Sequence, residues 1–473
     1  MSDRGPVLLV LLGLIGCGGT SRPGSARDAS TDSGGGDSSS RDSAAVDSGR
    51  KSDAASDGPR GCSSTFTDPQ ASARTACTFA VGAKVADTIG FTAADRAAFP
   101  ISHVIVMMKE NRSFDMMLGQ LAAYGRPGVQ GPPAGASNPD AKGMPVAPFH
   151  QTNTCLKDDP SHQFVNMHNM YDKGKMDGFV TNAAATSSPA SDGHFVMGYF
   201  TPTEIPFYFW LANQYPVADA FHCSALSGTW SNRDYLLLGS SYGVEDTGQI
   251  VTGLLGATTI FDERDAAKIS WGVYTDDSLG PFEDALAQDG WIGLHSGVYT
   301  NTQFMSDLMS GKLPSVAFVD SKANVEDEHP PADVQVGEAW TKSMYDAVIA
   351  SPIWLDSAGK GVALFFTYDE SGGFYDHAVP PPACLASPDQ SQFDTLGFRV
   401  PMILVSPFAR MNYVSHLVHQ HTSILRFIEL LFDLPALTGR DANSDALLDM
   451  FDTGGPAGKP PVGEPAAGTG ACK

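Results

Sequence analysis

Positive charge is scarce in this chain of 473 residues: 30 Lys+Arg stand against 53 Asp+Glu, a formal net charge of −23 at pH 7. With a sequence pI near 4.7, the composition argues against a protein that works by neutralising nucleic-acid phosphates, and no nucleic-acid partner is expected. Long apolar runs are missing too. The longest, at residues 7–15, falls well short of the roughly 18 residues that a membrane-spanning helix needs. The 7 cysteines contain no CxxC spacing, which argues against a zinc ribbon, and no repeat of roughly 20–50 residues marks a solenoid or propeller. What the chain does have is 42% apolar and 10% aromatic residues, enough to build a large core despite 49 Gly and 32 Pro.

The apolar run at 7–15 follows a short segment whose only positive side chain is Arg4, and it leads into Leu14-Ile15-Gly16-Cys17. This pattern resembles the lipobox of a bacterial lipoprotein, which implies that Cys17 becomes the lipid-carrying first residue of the mature chain. Gly18 rather than Asp follows it, which is similar to signals for export onward to the outer membrane or cell surface. Residues 18–60 are built mainly from Ser, Gly, Ala and Asp, with Val46 as the only larger aliphatic side chain. Such a segment has no core to bury and is expected to be a disordered tether. The domain reading is therefore a signal peptide and lipobox at 1–17, a tether at 18–60 and one globular domain at 61–473. In an exported protein the other six cysteines, Cys62, Cys77, Cys155, Cys223, Cys384 and Cys472, allow up to three disulfides, with Cys62–Cys77 the shortest-range pairing.

Within the globular part, short apolar runs at 101–108, 269–274, 315–319, 362–368 and 401–405 have the length and continuity of strands buried on both faces. Helical patterns at 333–349 and 422–432 separate or follow them. The alternation predicts an α/β fold around a largely parallel central sheet flanked by helices, with loop insertions. Two of the runs end in polar clusters: 101–108 leads into Lys109-Glu110-Asn111-Arg112-Ser113, and 362–368 into Asp369-Glu370-Ser371-Gly372-Gly373. Ligands of open α/β sheets gather at the carboxyl ends of strands, so these side chains are placed to converge. Glu110, Asn111, Asp369 and Glu370 are hard oxygen donors suited to a divalent cation, whose identity residue types alone leave open. A third cluster, Ser227-Gly228-Thr229-Trp230-Ser231-Asn232-Arg233, stands where a helix could open and offer free backbone N–H groups to an anion.

Histidine supplies the remaining chemistry. His162 lies in Asp159-Pro160-Ser161-His162, His329 in Asp327-Glu328-His329-Pro330-Pro331 and His377 in Tyr375-Asp376-His377. Each could contact a phosphoryl oxygen or protonate a leaving group. A solvated or capping role is the plainer alternative for any one loop histidine or carboxylate. His222 reads as structural, and the pairs Met107-Met108 and Met116-Met117 as core packing.

Taken together, HVIVMMKENRSFD at 103–115, KMDGF at 175–179, residues 205–212, DAFHCSALSGTWSNR at 219–233, DEHPP at 327–331, YDESGGFYDH at 368–377, GFRVP at 397–401 and SPF at 406–408 resemble, in collinear order, a bacterial phosphoesterase family. It contains phospholipases C and acid phosphatases on an alkaline-phosphatase-like fold. The resemblance implies a divalent metal held by Glu110, Asn111, Asp369 and Glu370, with Thr229 touching it as the nucleophile and forming a covalent phospho-enzyme. Ser227 is the rival nucleophile and Ser224 a more distant one. His162 and His329 are similar to histidines that contact the phosphoryl group, with His377 a looser match. Met116-Met117 and Trp230-Ser231 depart from the family pattern around the leaving-group pocket, so the substrate stays open between phospholipid diesters and small monoesters. A non-catalytic surface-binding lipoprotein is the reading from another class.

Overall fold

The strands that matter for the site are apolar because they are covered on both faces, and a computed structural model of the chain shows which covers which. It describes residues 66–187, 190–249, 251, 254, 256–277, 297–455 and 457–470. The lipobox with Cys17, the tether to residue 60, Cys62 and Cys472 lie outside the described residues.

In chain order the central sheet contains β1 (Ile101–Lys109), β2 (Val217–Ala218), β3 (Trp271–Tyr274), β4 (Val298–Tyr299), β5 (Val316–Val319), β6 (Gly361–Tyr368), β7 (Met402–Val405) and β8 (Val414–Ser415). They lie side by side as β8-β2-β7-β6-β1-β5-β3-β4. β1 is parallel to both its neighbours, β6 and β5, and β5, β3 and β4 continue the parallel run. Only β7 runs against the strands beside it. The fold is α/β with a largely parallel sheet flanked by helices, as the alternation of runs predicts. Every residue of β6 is buried, as are Val104–Lys109 of β1, the pattern of interior strands covered on both sides. The expected runs at 269–274 and 315–319 lose one or two residues at the start, within the ordinary uncertainty of element ends.

Four helices carry or support the site: α1 (Phe164–Tyr171), α2 (Thr229–Leu238), α3 (Val334–Ala350) and α4 (His421–Phe432). α3 buries Val334, Gly337, Glu338, Thr341, Met344, Tyr345 and Val348, a stripe at three- and four-residue spacing. Its start is fixed by the Asp333 side chain, which accepts the Gln335 N–H at 2.9 Å. α4 is buried along nearly its whole length and packs on α2. Met107, Met108, Met116 and Met117 are core residues, and His222 is buried with its Nδ1 donating to the Gly397 carbonyl at 2.8 Å.

The short-range Cys62–Cys77 pairing is overturned. Cys77 is bonded to Cys384, 307 residues away, with Cα atoms 5.4 Å apart. The reason is tertiary: Arg74 is buried against Asp68 and lies 3.6 Å from Asp445, which holds the segment before Cys77 onto loops from the far end of the chain. Cys155 is also disulfide-bonded, while Cys223 is a buried free thiol, so the six cysteines do not make three bridges.

Candidate active site

Parallel pairing decides the geometry. β1 and β6 are in register to their last residues, Lys109 opposite Tyr368, so the next residues, Glu110-Asn111 and Asp369-Glu370, leave the sheet side by side. The Asp369 N–H donates to the Lys109 carbonyl at 3.0 Å, and the Asn111 N–H donates to Asp369 Oδ1 at 3.0 Å. Asn111 turns at φ 60°, a left-handed conformation that Asn tolerates better than most side chains. Gly372, at φ +64°, has no room for a Cβ, which would stand 2.5 Å from the Asn111 carbonyl oxygen. The two chain reversals are thus packed against each other.

Thr229 is the first residue of α2. The N-cap, Gly228, carries no side-chain cap, so the Thr229 hydroxyl is not committed to capping and instead donates to Glu110 Oε2 at 3.3 Å. One turn on, Arg233 places a guanidinium nitrogen 2.6 Å from Glu110 Oε1. It also lies 3.6 Å from Asp320 Oδ1 and 3.9 Å from Asp369 Oδ2. The four-residue spacing puts hydroxyl and guanidinium on one helix face. Ser227 is turned elsewhere, with its hydroxyl donating to the Glu245 carbonyl and 3.0 Å from Ser231 Oγ. Ser224 is buried and does not line the cavity described next.

Glu110, Thr229, His162 and His329 line one cavity of about 500 Å³ together with Asp159, Asp327 and Trp230. His162 Nδ1 lies 2.9 Å from the Pro160 carbonyl, which can only accept, so this nitrogen carries the proton and Nε2 faces Asn111 Nδ2 at 3.3 Å. His329 is fixed the same way by the Pro330 carbonyl at 2.6 Å, which leaves Nε2 toward Asp159 Oδ2 at 4.0 Å. The rings are 5.9 Å apart.

His377 is placed differently. Its Nδ1 is 2.7 Å from Asp115 Oδ2, in a group where Arg399 bridges Asp115 and Asp376 at 2.8 and 2.9 Å, and it does not line the cavity. The grouping of Asp115, Asp376 and His377 is thereby filled by a guanidinium. Four site residues received no role from the sequence: Arg233, Asp159, Asp320 and Asp327. The usable signals were the Thr229-to-Arg233 helical spacing and the carboxylates three residues before His162 and two before His329.

Charge is the unresolved tension of the site. Burial, then the Asp369 carboxylate, pushes the Glu110 pKa up to about 7 against the pull of Arg233. Burial and Asp369 push Glu370 well above the carboxylate range, and burial raises Asp369 as well. Asn111 Oδ1 and Glu370 Oε1 are buried and accept no hydrogen bond, although buried acceptors are nearly always satisfied. Three carboxylates, an amide oxygen and a hydroxyl form a hard oxygen donor set compatible with a divalent cation.

The match to a family model fits this arrangement: residues 101–435 match the phosphoesterase family, and the chain belongs to that family. It is 31% identical over 384 residues to non-specific phospholipase C1 of Arabidopsis thaliana, covering 72% of this chain and 69% of that protein. It is 29% identical over 395 residues to phospholipase C A of Mycobacterium tuberculosis, covering 71% and 73%. Among solved structures it is similar to a protein in the alkaline phosphatase superfamily from Vibrio parahaemolyticus at 11% identity and a TM-score of 0.35, over 54% of this chain and 65% of that one. The chain is a phosphoric ester hydrolase.

The raised carboxylate pKa values set the pH response of metal-free protein. Glu110 holds its proton up to about pH 7 when folded but only to about 4.3 when unfolded. Between these values the folded state binds more protons, and stability falls as pH rises. The Tm of chelator-treated protein is expected to drop by several degrees from pH 5 to pH 7.5, and added divalent cation to remove most of that slope. A metal-free Tm that climbs over this range contradicts the assignment.

Proposed function

We propose that this chain is a metal-dependent, phospholipase C-like phosphoric ester hydrolase that works through a phospho-threonine on Thr229, anchored by lipid on Cys17 at the exported side of a bacterial envelope. One observation carries the catalytic part: a hydroxyl at a helix N-terminus donates to a buried carboxylate cluster in which Asn111 Oδ1, Asp369 Oδ2 and Glu370 Oε1 accept no hydrogen bond, beside a cavity with two histidines. Glu110, Asn111, Asp369, Glu370 and Thr229 would hold the cation. When bound there, a divalent cation lowers the hydroxyl pKa of a coordinated alcohol and neutralises charge on a phosphoryl group.

The side chains of this protein divide the remaining work. Thr229 Oγ, passing its proton to the Glu110 carboxylate to which it donates, forms a bond to phosphorus as the bond from phosphorus to the substrate's leaving oxygen breaks. The free N–H groups at the start of α2 favour the negative charge of the phosphoryl oxygens. Arg233 holds Glu110 in place from the same helix. His329 is suited to donate the proton that the departing alcohol needs: burial opposes its charged form, but Glu110 and Asp159 outweigh burial and its pKa stands above the ordinary histidine value. Burial lowers the pKa of His162, and a neutral ring there can accept from Asn111 and keep the amide oriented. Water then attacks the phospho-threonine and gives a proton to the His329 ring, the Thr229 oxygen leaves and recovers its proton from Glu110, and the phosphorylated product is released.

The relatives named phospholipase C support a phospholipid or related phosphoester as substrate. The apolar run before Leu14-Ile15-Gly16-Cys17 supports the anchor. Cys17→Ala is expected to move the protein from the membrane fraction to the soluble fraction, and undiminished membrane retention contradicts the anchor. For the nucleophile, rapid-quench labelling with a phosphoester followed by peptide mapping is expected to place the phosphoryl group on Thr229. Thr229→Ala should abolish capture and lower turnover by roughly three orders of magnitude or more, with Ser227→Ala milder. An adduct on Ser227, or none in an active enzyme, overturns the assignment.

A further inference from the structure

We propose that Asp159 is a specificity-determining residue that makes the cavity select singly charged phosphodiesters over doubly charged phosphomonoesters. The inference rests on the phosphoester-hydrolase reading of the same cavity.

Among the described residues lining the cavity there is no Lys or Arg, while three carboxylates are present: Glu110, Asp159 and Asp327. Two of the three are committed. Glu110 accepts from Thr229 and Arg233, and Asp327 accepts the backbone N–H groups of Asn324 at 2.7 Å and His329 at 3.2 Å. Asp159 is different. Its Oδ1 is buried and accepts no hydrogen bond, and it reaches His162 Nδ1 and His329 Nε2 only at 3.9 and 4.0 Å. It lines the same cavity as Thr229, beside the two rings.

A phosphomonoester carries a second negative charge above its second pKa near 6, and a diester replaces that charge with an ester group. The cavity provides for the ester group through the partly buried Trp230, which packs against the core. For the extra charge it provides, beyond the His329 imidazole, no guanidinium or ammonium, and it adds a carboxylate. A unit charge held roughly 6–8 Å from a carboxylate is disfavoured by about six- to a hundredfold at an effective dielectric of roughly 20–40. The Asp159 side chain is 35% exposed, so screening brings the expected discrimination to about five- to tenfold.

The test uses the full-length protein at pH 8 with p-nitrophenyl phosphate, a dianion, and bis(p-nitrophenyl) phosphate, a monoanion. Both lose the same p-nitrophenolate, so changes in leaving-group assistance or in the nucleophile cancel in the ratio of their kcat/KM values. Asp159→Asn should raise the monoester-to-diester ratio about five- to tenfold, and Asp159→Glu, which keeps the charge, should leave it near that of the parent. If Asp159→Asn alters both substrates equally or lowers the ratio, Asp159 has only a structural role and the inference fails while the hydrolase reading stands. Should the parent protein cleave neither ester with divalent cations supplied, the hydrolase reading fails and takes the inference with it.

Discussion

Two neighbouring parallel strands that end in register force three carboxylates into one buried place, and most of the site follows from that. β1 and β6 finish at Lys109 and Tyr368, and the backbone bonds between Asp369 and Lys109 and between Asn111 and Asp369 leave no freedom to spread Glu110, Asp369 and Glu370 apart. Each buried ion costs several kcal/mol after relaxation. The guanidinium of Arg233 pairs with Glu110 at 2.6 Å and stays 3.9 Å from Asp369. Raised carboxylate pKa values and unpartnered oxygens are the visible result. Such an arrangement is unfavourable for stability alone, and the proposed divalent cation would offset it.

The helix α2 ties this charge problem to the reaction. Thr229 and Arg233 are one turn apart on one face, so the element that brings the hydroxyl to Glu110 also brings the cation that restrains Glu110. A displacement of the helix would move both together. α4, buried against α2, supports it, which explains why so much of α4 is apolar although it contributes no cavity residue. The histidines are fixed by backbone carbonyls, Pro160 for His162 and Pro330 for His329, and in each case the tautomer follows from an acceptor that cannot donate.

Much of this was legible in the sequence, for physical reasons that also mark where reading stops. The continuous apolar runs at β1, β5, β6 and β7 and the carboxylates directly after β1 and β6 are local signals. Thr229 at the start of a helix was also readable from Ser227-Gly228 before it and the apolar residues beyond. The strands β2, β4 and β8 are two residues long and carry no periodicity. Partners distant in sequence were invisible: Cys77 with Cys384, Arg399 with Asp115, and Arg233 with Glu110 depend on the fold. An Asp-His pair is also ambiguous by nature, and at Asp376-His377 the fold uses it to surround Arg399, while the Asp159 carboxylate near His162 lies on the cavity wall.

The proposal on which the mechanism depends most is that the cluster at the ends of β1 and β6 binds one divalent cation. Metal analysis of dialysed full-length protein together with calorimetric titration of the chelated form tests it most directly. The account predicts one tightly held divalent ion per chain, with affinity reduced by roughly tenfold or more in Glu370→Gln, since each carboxylate is a first-order contributor to the site. Full turnover of a phosphoester by protein shown to contain no metal, or titration that detects no site in the folded chain, would contradict it.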